Sequence, residues 1–112
     1  MKLLNDQFFN ILKLDKDFAF KLANMFEAST IDLLKKFEES LNNQDSQKCK
    51  NIMHTAKGGA ANFGAESLMQ LFNSIEKEMS NLDMNNILQF KIKIANAKDI
   101  LEKTIIEVQK YK

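Results

Sequence analysis

An all-α fold is expected of this sequence: an antiparallel up-down four-helix bundle with a short additional N-terminal helix. Three features carry that expectation. The 112 residues include no proline and only three glycines, all between Gly58 and Gly64, so little material is left for turns. Leu, Ile, Lys, Glu, Asn, Phe and Met dominate, whereas strand-favouring Val and Tyr occur once each. Apolar residues also recur at helical spacing in four substantial stretches joined by short polar links, which makes neighbouring helices antiparallel.

The elements follow in order. Leu4, Phe8, Ile11 and Leu12 mark a short first helix that packs as a lid across one end of the bundle, with Asp15 capping the next. A long pattern runs through Phe18, Leu22, Met25, Phe26, Leu33, Phe37 and Leu41, with Ala28-Ser29-Thr30 as a place for a kink or a division. Asn42-Asn43-Gln44-Asp45 is the next break, and Asp45 or Ser46 caps a helix carrying Cys49, Ile52, Met53, Ala56 and Phe63. Gly64 ends it, because glycine most cheaply takes the left-handed conformation that stops a helix. Leu68, Leu71, Phe72, Ile75, Met79 and Leu82 mark a fourth stretch. After a break at Asn81–Asn86, with Asp83 as its cap, the last helix runs on Ile87, Phe90, Ile94, Ala97, Leu101, Ile105 and Val108. The nine Phe and six Met read as core, and residues 1–112 as one domain.

Several function classes are disfavoured. Sixteen Lys and no Arg stand against fifteen acids, a formal net charge of +1 with both signs scattered, which lacks the basic stripe of a nucleic-acid binder. No apolar run approaches the roughly 18 residues of a membrane span. The apolar start at Leu3-Leu4 is too short for a secretory leader, and the expected location is the cytoplasm. Cys49 stands alone on an apolar stripe, so no disulfide framework or zinc spacing exists, and a buried inert thiol is expected. The basic C-terminal stretch is interleaved with Asp99, Glu102 and Glu107 and reads as a solvated face.

The chemistry concentrates on the third long pattern. At 3.6 residues per turn, Cys49, Ile52, Met53, Ala56, Gly59, Ala60 and Phe63 share one broad core face, and His54 lies roughly 160° from its centre, facing solvent. Gln47, Lys50, Asn51, Lys57, Gly58 and Ala61 are its neighbours on the outer face. An exposed histidine is unremarkable by itself. A glycine inside a helix, however, costs about 1 kcal/mol relative to alanine, and Gly58 sits one turn after His54. Its missing side chain clears space around the imidazole for another molecule, and Lys57 brings an ammonium within reach of anything bonded to the ring. Local instability without a packing benefit points to function.

The run His54-Thr55-Ala56-Lys57-Gly58-Gly59-Ala60-Ala61-Asn62-Phe63-Gly64-Ala65, followed by Leu68 and Ile75-Glu76, resembles the signature of histidine phosphotransfer (HPt) domains. The similarity is strongest over residues 54–76 and extends over about residues 15 to 110. Ala56, where the family usually has a larger aliphatic residue, and Gly59, where a small hydroxyl residue is common, depart from the pattern. The resemblance implies a protein that relays a phosphoryl group between aspartates of receiver domains through phosphorylation of His54 at Nε2. Lys57 would stabilise the phosphoryl oxygens, with Lys50 as a weaker second, and Gly58 would give steric access. Gln47, Lys50, Asn51 and Ala61 would form the docking surface. The partners implied are receiver domains of response regulators or hybrid histidine kinases. No cofactor is expected on this chain; the Mg²⁺ of the reaction would belong to the receiver. With no glycine-rich phosphate loop and no length for an ATP-binding domain, the chain would be a stoichiometric carrier, not an enzyme, and a monomer.

Alternatives remain at this level. One is the phosphorylated-histidine module of a larger chemotaxis-type or hybrid sensor kinase, although the compact ends favour a freestanding chain. Another is a receiver-binding helical module that is never phosphorylated, which would be expected to have lost His54 or Lys57. A di-iron bundle needs paired inward Glu-x-x-His motifs; the single His54 follows Asn51 and points outward.

Overall fold

In the computed structural model, which describes residues 1–112, the chain forms α1 (Asp6–Leu14), α2 (Lys16–Asn42), α3 (Ser46–Phe63), α4 (Glu66–Glu78), a single 3₁₀ turn (Met79–Asn81) and α5 (Ile87–Gln109). Packing between long helices follows the ring α2–α3–α4–α5 and back to α2, so each runs antiparallel to the next. The fold expected from the sequence is the fold observed, with 24 apolar residues in one buried cluster.

The helix boundaries follow local chemistry. Asp15 accepts from the Phe18 backbone N–H at 3.0 Å and Asp45 from that of Lys48 at 3.1 Å, each satisfying a donor that the first turn leaves unpaired. Gly64 closes α3 at φ +94°, and both its N–H and that of Ala65 return to the Ala60 carbonyl at 2.9 Å. The lid also forms. Asn5 N–H donates to the Gly64 carbonyl and Glu66 N–H to the Leu3 carbonyl, both at 3.0 Å, tying the N-terminal segment to the α3–α4 turn. Phe8 is thereby fully buried, its ring 5.4 Å from Phe63 and 6.0 Å from Tyr111. Burial of such a side chain contributes about 1.5–3 kcal/mol.

Four expectations change. Ala28-Ser29-Thr30 neither kinks nor divides α2, which runs unbroken for 27 residues. Serine and threonine are only mildly unfavourable inside a helix, and packing against α3 and α5 overrides them. Phe18 and Met25 are exposed, while Ala19 and Ala23 are buried. Small alanines let neighbouring helices approach closely, so the larger residues flanking that line stay outside; Met1 and Met84 are exposed as well. Gly59 lies at the exposed edge of α3 and not on its core face. Finally, Asp83 does not cap α5. Its carboxylate accepts from the N–H groups of Asn85 and Asn86, organising the preceding turn, and Asn86 takes the cap position.

Candidate functional site around His54

The core stripe of α3 fixes where His54 points. Cys49, Ile52, Met53, Ala56, Ala60 and Phe63 are buried, so the opposite face is held outward, and the His54 side chain is 71% exposed. Gln47, Lys50, Asn51, Gly58 and Ala61 are exposed on the same face, as expected. Gln47 donates to Asn51 Oδ1 at 2.9 Å, one turn above the histidine. Neither Gly58 nor Gly59 has any atom within 4 Å of where a Cβ would stand. No intramolecular contact therefore requires these glycines.

Lys57 is where the sequence places it, but it is not free. Its ammonium lies 2.7 Å from Glu76 Oε1 and 3.5 Å from Asn73 Oδ1, and its side chain is only 28% exposed. The other carboxylate oxygen, Glu76 Oε2, is 3.1 Å from His54 Nδ1. One carboxylate on α4 thus bridges the two α3 residues. Glu76 is only 14% exposed, and Oε1 is screened from solvent. The Lys57 ammonium beside it holds its carboxyl below the usual carboxylate range, His54 adding to the effect and partial burial opposing it.

The bridge fixes the imidazole. An ionised carboxylate only accepts hydrogen bonds, so Nδ1 carries the hydrogen and a neutral ring keeps its lone pair on Nε2. With Nδ1 turned toward α4, Nε2 is the ring nitrogen left for a visitor.

Glu76 and Asn73 had no role assigned from the sequence. Glu76 follows His54 by 22 positions and meets it only because α4 folds back along α3, which form the most extensive helix pair. A usable signal was present: Glu76 is one turn after the buried Phe72 and beside the buried Ile75, an unusual place for an unpaired acid.

The model of the Hpt domain family matches residues 21–104 of the chain. The chain belongs to the Hpt domain family. An Hpt assignment carries histidine phosphotransfer in two-component relays as its function, and its partners are the receiver domains and histidine kinases of those relays. Among solved structures, this Hpt chain is similar to histidine-containing phosphotransfer protein B (HptB) from Pseudomonas aeruginosa PAO1. The TM-score is 0.72 at 20% sequence identity, covering 98% of this chain and 96% of that one. No curated protein sequence matches the chain. No helix is long and apolar enough to cross a membrane. Nor do three or more His, Cys, Asp or Glu side chains converge as a metal site would require. Cys49 is buried, and burial first, with Asp45 second, pushes its thiol up to about 11, which keeps it protonated near neutral pH.

Proposed function

We propose that His54 is the phosphoryl carrier of this Hpt domain, taking the group from an aspartyl phosphate on one receiver domain and giving it to an aspartate on another. One observation carries the reading: an outward imidazole whose Nδ1 is held by a buried-side carboxylate, with Nε2 facing a surface cleared by Gly58.

The Nε2 lone pair attacks phosphorus in line. The N–P bond forms as the P–O bond breaks, and the bonding pair leaves with the receiver's aspartate. The ring then bears positive charge, which the Glu76 carboxylate offsets through Nδ1–H. In the return direction an acceptor carboxylate attacks phosphorus, and the neutral ring departs with its Nδ1 hydrogen still in place, so no proton is gained or lost overall. Such transfer depends on positioning and on compensating charge more than on covalent help from the protein. Lys57, held at the rim by Glu76 and Asn73, is the cation assigned to the phosphoryl oxygens on Nε2, and Lys50 supplies a second positive charge one turn away. Charge neutralisation by Mg²⁺ is assigned to the receiver.

Gln47, Lys50, Asn51 and Ala61 form the docking rim, small or polar side chains that admit a close partner. The site is complete within one chain, which supports a monomeric carrier. The reading makes the domain a stoichiometric carrier and not a kinase, working in the cytoplasm with its receivers. The test is phosphotransfer from a panel of phosphorylated receiver domains to wild type and to His54→Gln. Acid-labile, base-stable label on wild type alone is expected. Label on both would remove His54 from the role, and receiver binding without label would favour a non-phosphorylated interaction module.

A further inference from the structure

The charges of the chain sum to +1, but the surface around His54 does not share that balance. From Ser46 to Phe63, α3 carries no acidic side chain, and its lysines are Lys48, Lys50 and Lys57. The carboxylates of α4 do not neutralise the histidine face. Glu66, at the start of α4, is held by Asn5 and Gln70, each at 2.7 Å. Glu78 is held by Lys93 of α5 at 2.6 Å, and Glu76 lies between the helices against His54 and Lys57. Lys50 on α3 and Lys77 on α4 are exposed, and neither has a carboxylate partner.

Position singles out Lys77. Around α4, Phe72, Glu76, Asn73 and Lys77 follow one another from core to solvent at steps of roughly 40–60°. They run from buried through half-buried to exposed. Glu76 and Asn73 both reach Lys57, so this is the side of α4 that faces α3. Lys77 continues the series onto the outer surface at the level of His54, whose Nδ1 meets the adjacent Glu76. With Nδ1 turned inward, Nε2 faces the side on which Lys77 emerges. Lys57, by contrast, is tied in place. Its departure would strand a screened carboxylate oxygen, and an uncompensated charge in such a place is strongly destabilising. Lys57 therefore acts from where Glu76 holds it, whereas the flexible four-carbon stem of Lys77 is free to follow a group on the ring.

We propose that Lys77 is a further phosphoryl-contacting cation: its ammonium reaches from α4 to the outer oxygens of the group on Nε2 and holds that group on the histidine. The inference rests on the reading of His54 as carrier and deepens it with a residue from a second helix. A phosphoryl group brings up to two negative charges, and the charge of Lys57 is already offset by Glu76. Lys50, one turn before His54, and Lys77, across on α4, supply the balance from either side. A lysine in the last turn of α4 also suits the negative end of that helix, but such a role shows in stability and not in the position of a transfer equilibrium.

Equilibrium separates contact from docking. The constant for exchange between a receiver and His54 depends only on the undocked proteins, so a residue that merely helps docking changes both rates and leaves the constant fixed. Lys77→Gln is expected to lower the constant for transfer onto His54 about threefold to tenfold, the range of one charge-assisted hydrogen bond at a solvent-screened site. Lys77→Arg should restore most of it. Lys91→Gln is the control, since α5 does not pack against α3, and should leave the constant unchanged. Phosphoramidate, a small phosphoryl donor that needs no docking, gives a second readout. In nitrogen NMR of the lysine ammonium groups, the Lys77 signal should move as His54 is labelled with no receiver present. An unchanged constant and an unmoved signal would overturn the proposal and leave the carrier reading intact. Slower transfer in both directions at an unchanged constant would also overturn it, in favour of carboxylates on the receiver as what Lys77 meets. If neither receivers nor phosphoramidate label His54, the carrier reading fails and the proposal for Lys77 falls with it.

Discussion

Gly58 and Gly64 lie on the same short run of chain yet answer to different constraints. Gly64 is shaped from inside: it has φ +94°, and a Cβ there would meet the Phe8 backbone nitrogen at 2.4 Å and Asn5 Oδ1 at 2.8 Å. The α3–α4 turn and the docking of α1 both need that space. Gly58 has ordinary helical geometry and open space around it, so nothing in the fold asks for a glycine. One glycine is required by the protein's own chain; the other is not, and the proposed carrier function gives it a use in admitting a partner. The contrast shows how to separate structural from functional economy in a helix: ask what a methyl group would touch.

Substitutions can break this comparison. Gly64→Ala should be the most damaging to stability. A non-glycine residue in the left-handed region and a displaced α1 together should lower unfolding free energy by about 3 kcal/mol, read as a drop in urea midpoint at constant slope. Gly58→Leu should do the reverse. By helix propensity the variant gains up to about 1 kcal/mol of stability, yet receiver-dependent transfer falls roughly hundredfold, equivalent to about 2.7 kcal/mol of barrier. Normal transfer by that variant would end the steric account of Gly58.

Glu76→Gln sharpens the same contrast at the neighbouring helix. An amide still accepts from Nδ1 but no longer offsets charge on the ring, so transfer should slow about tenfold, or about 1.4 kcal/mol, with the fold retained. The smallest effect belongs to acid titration. Since the Glu76 carboxyl is held below its usual range, chiefly by Lys57, its contribution to stability is fully present above the ordinary glutamate pKa near 4.3. It is lost only as pH falls through the lower folded value. Carboxyl-detected NMR should place the Glu76 midpoint below that of an unperturbed glutamate, and Lys57→Ala should move it upward; an unmoved midpoint would mean that the ion pair is not held in solution.

The outline of the protein was legible in the amino-acid sequence because it rests on local rules. Helical periodicity, the Asp15 and Asp45 caps and the Gly64 stop gave every helix within a few residues, and the angle of His54 to its own helix's apolar stripe gave its exposure. Lys57 and Gly58 followed from one-turn spacing on the same helix. What periodicity misjudged was the weight of small residues: in the first half of α2, Ala19 and Ala23 join Phe26 in the core while Phe18 and Met25 are left outside.

The remainder depended on how helices meet. No spacing along the chain brings Glu76 to within 3.1 Å of His54 and 2.7 Å of Lys57; the register of α4 against α3 does. Side-chain direction on one helix is set by 100° per residue and can be read from the sequence. The pairing of side chains on two helices is set by the packing of the whole core, to which every buried residue contributes, and only the tertiary structure decides it.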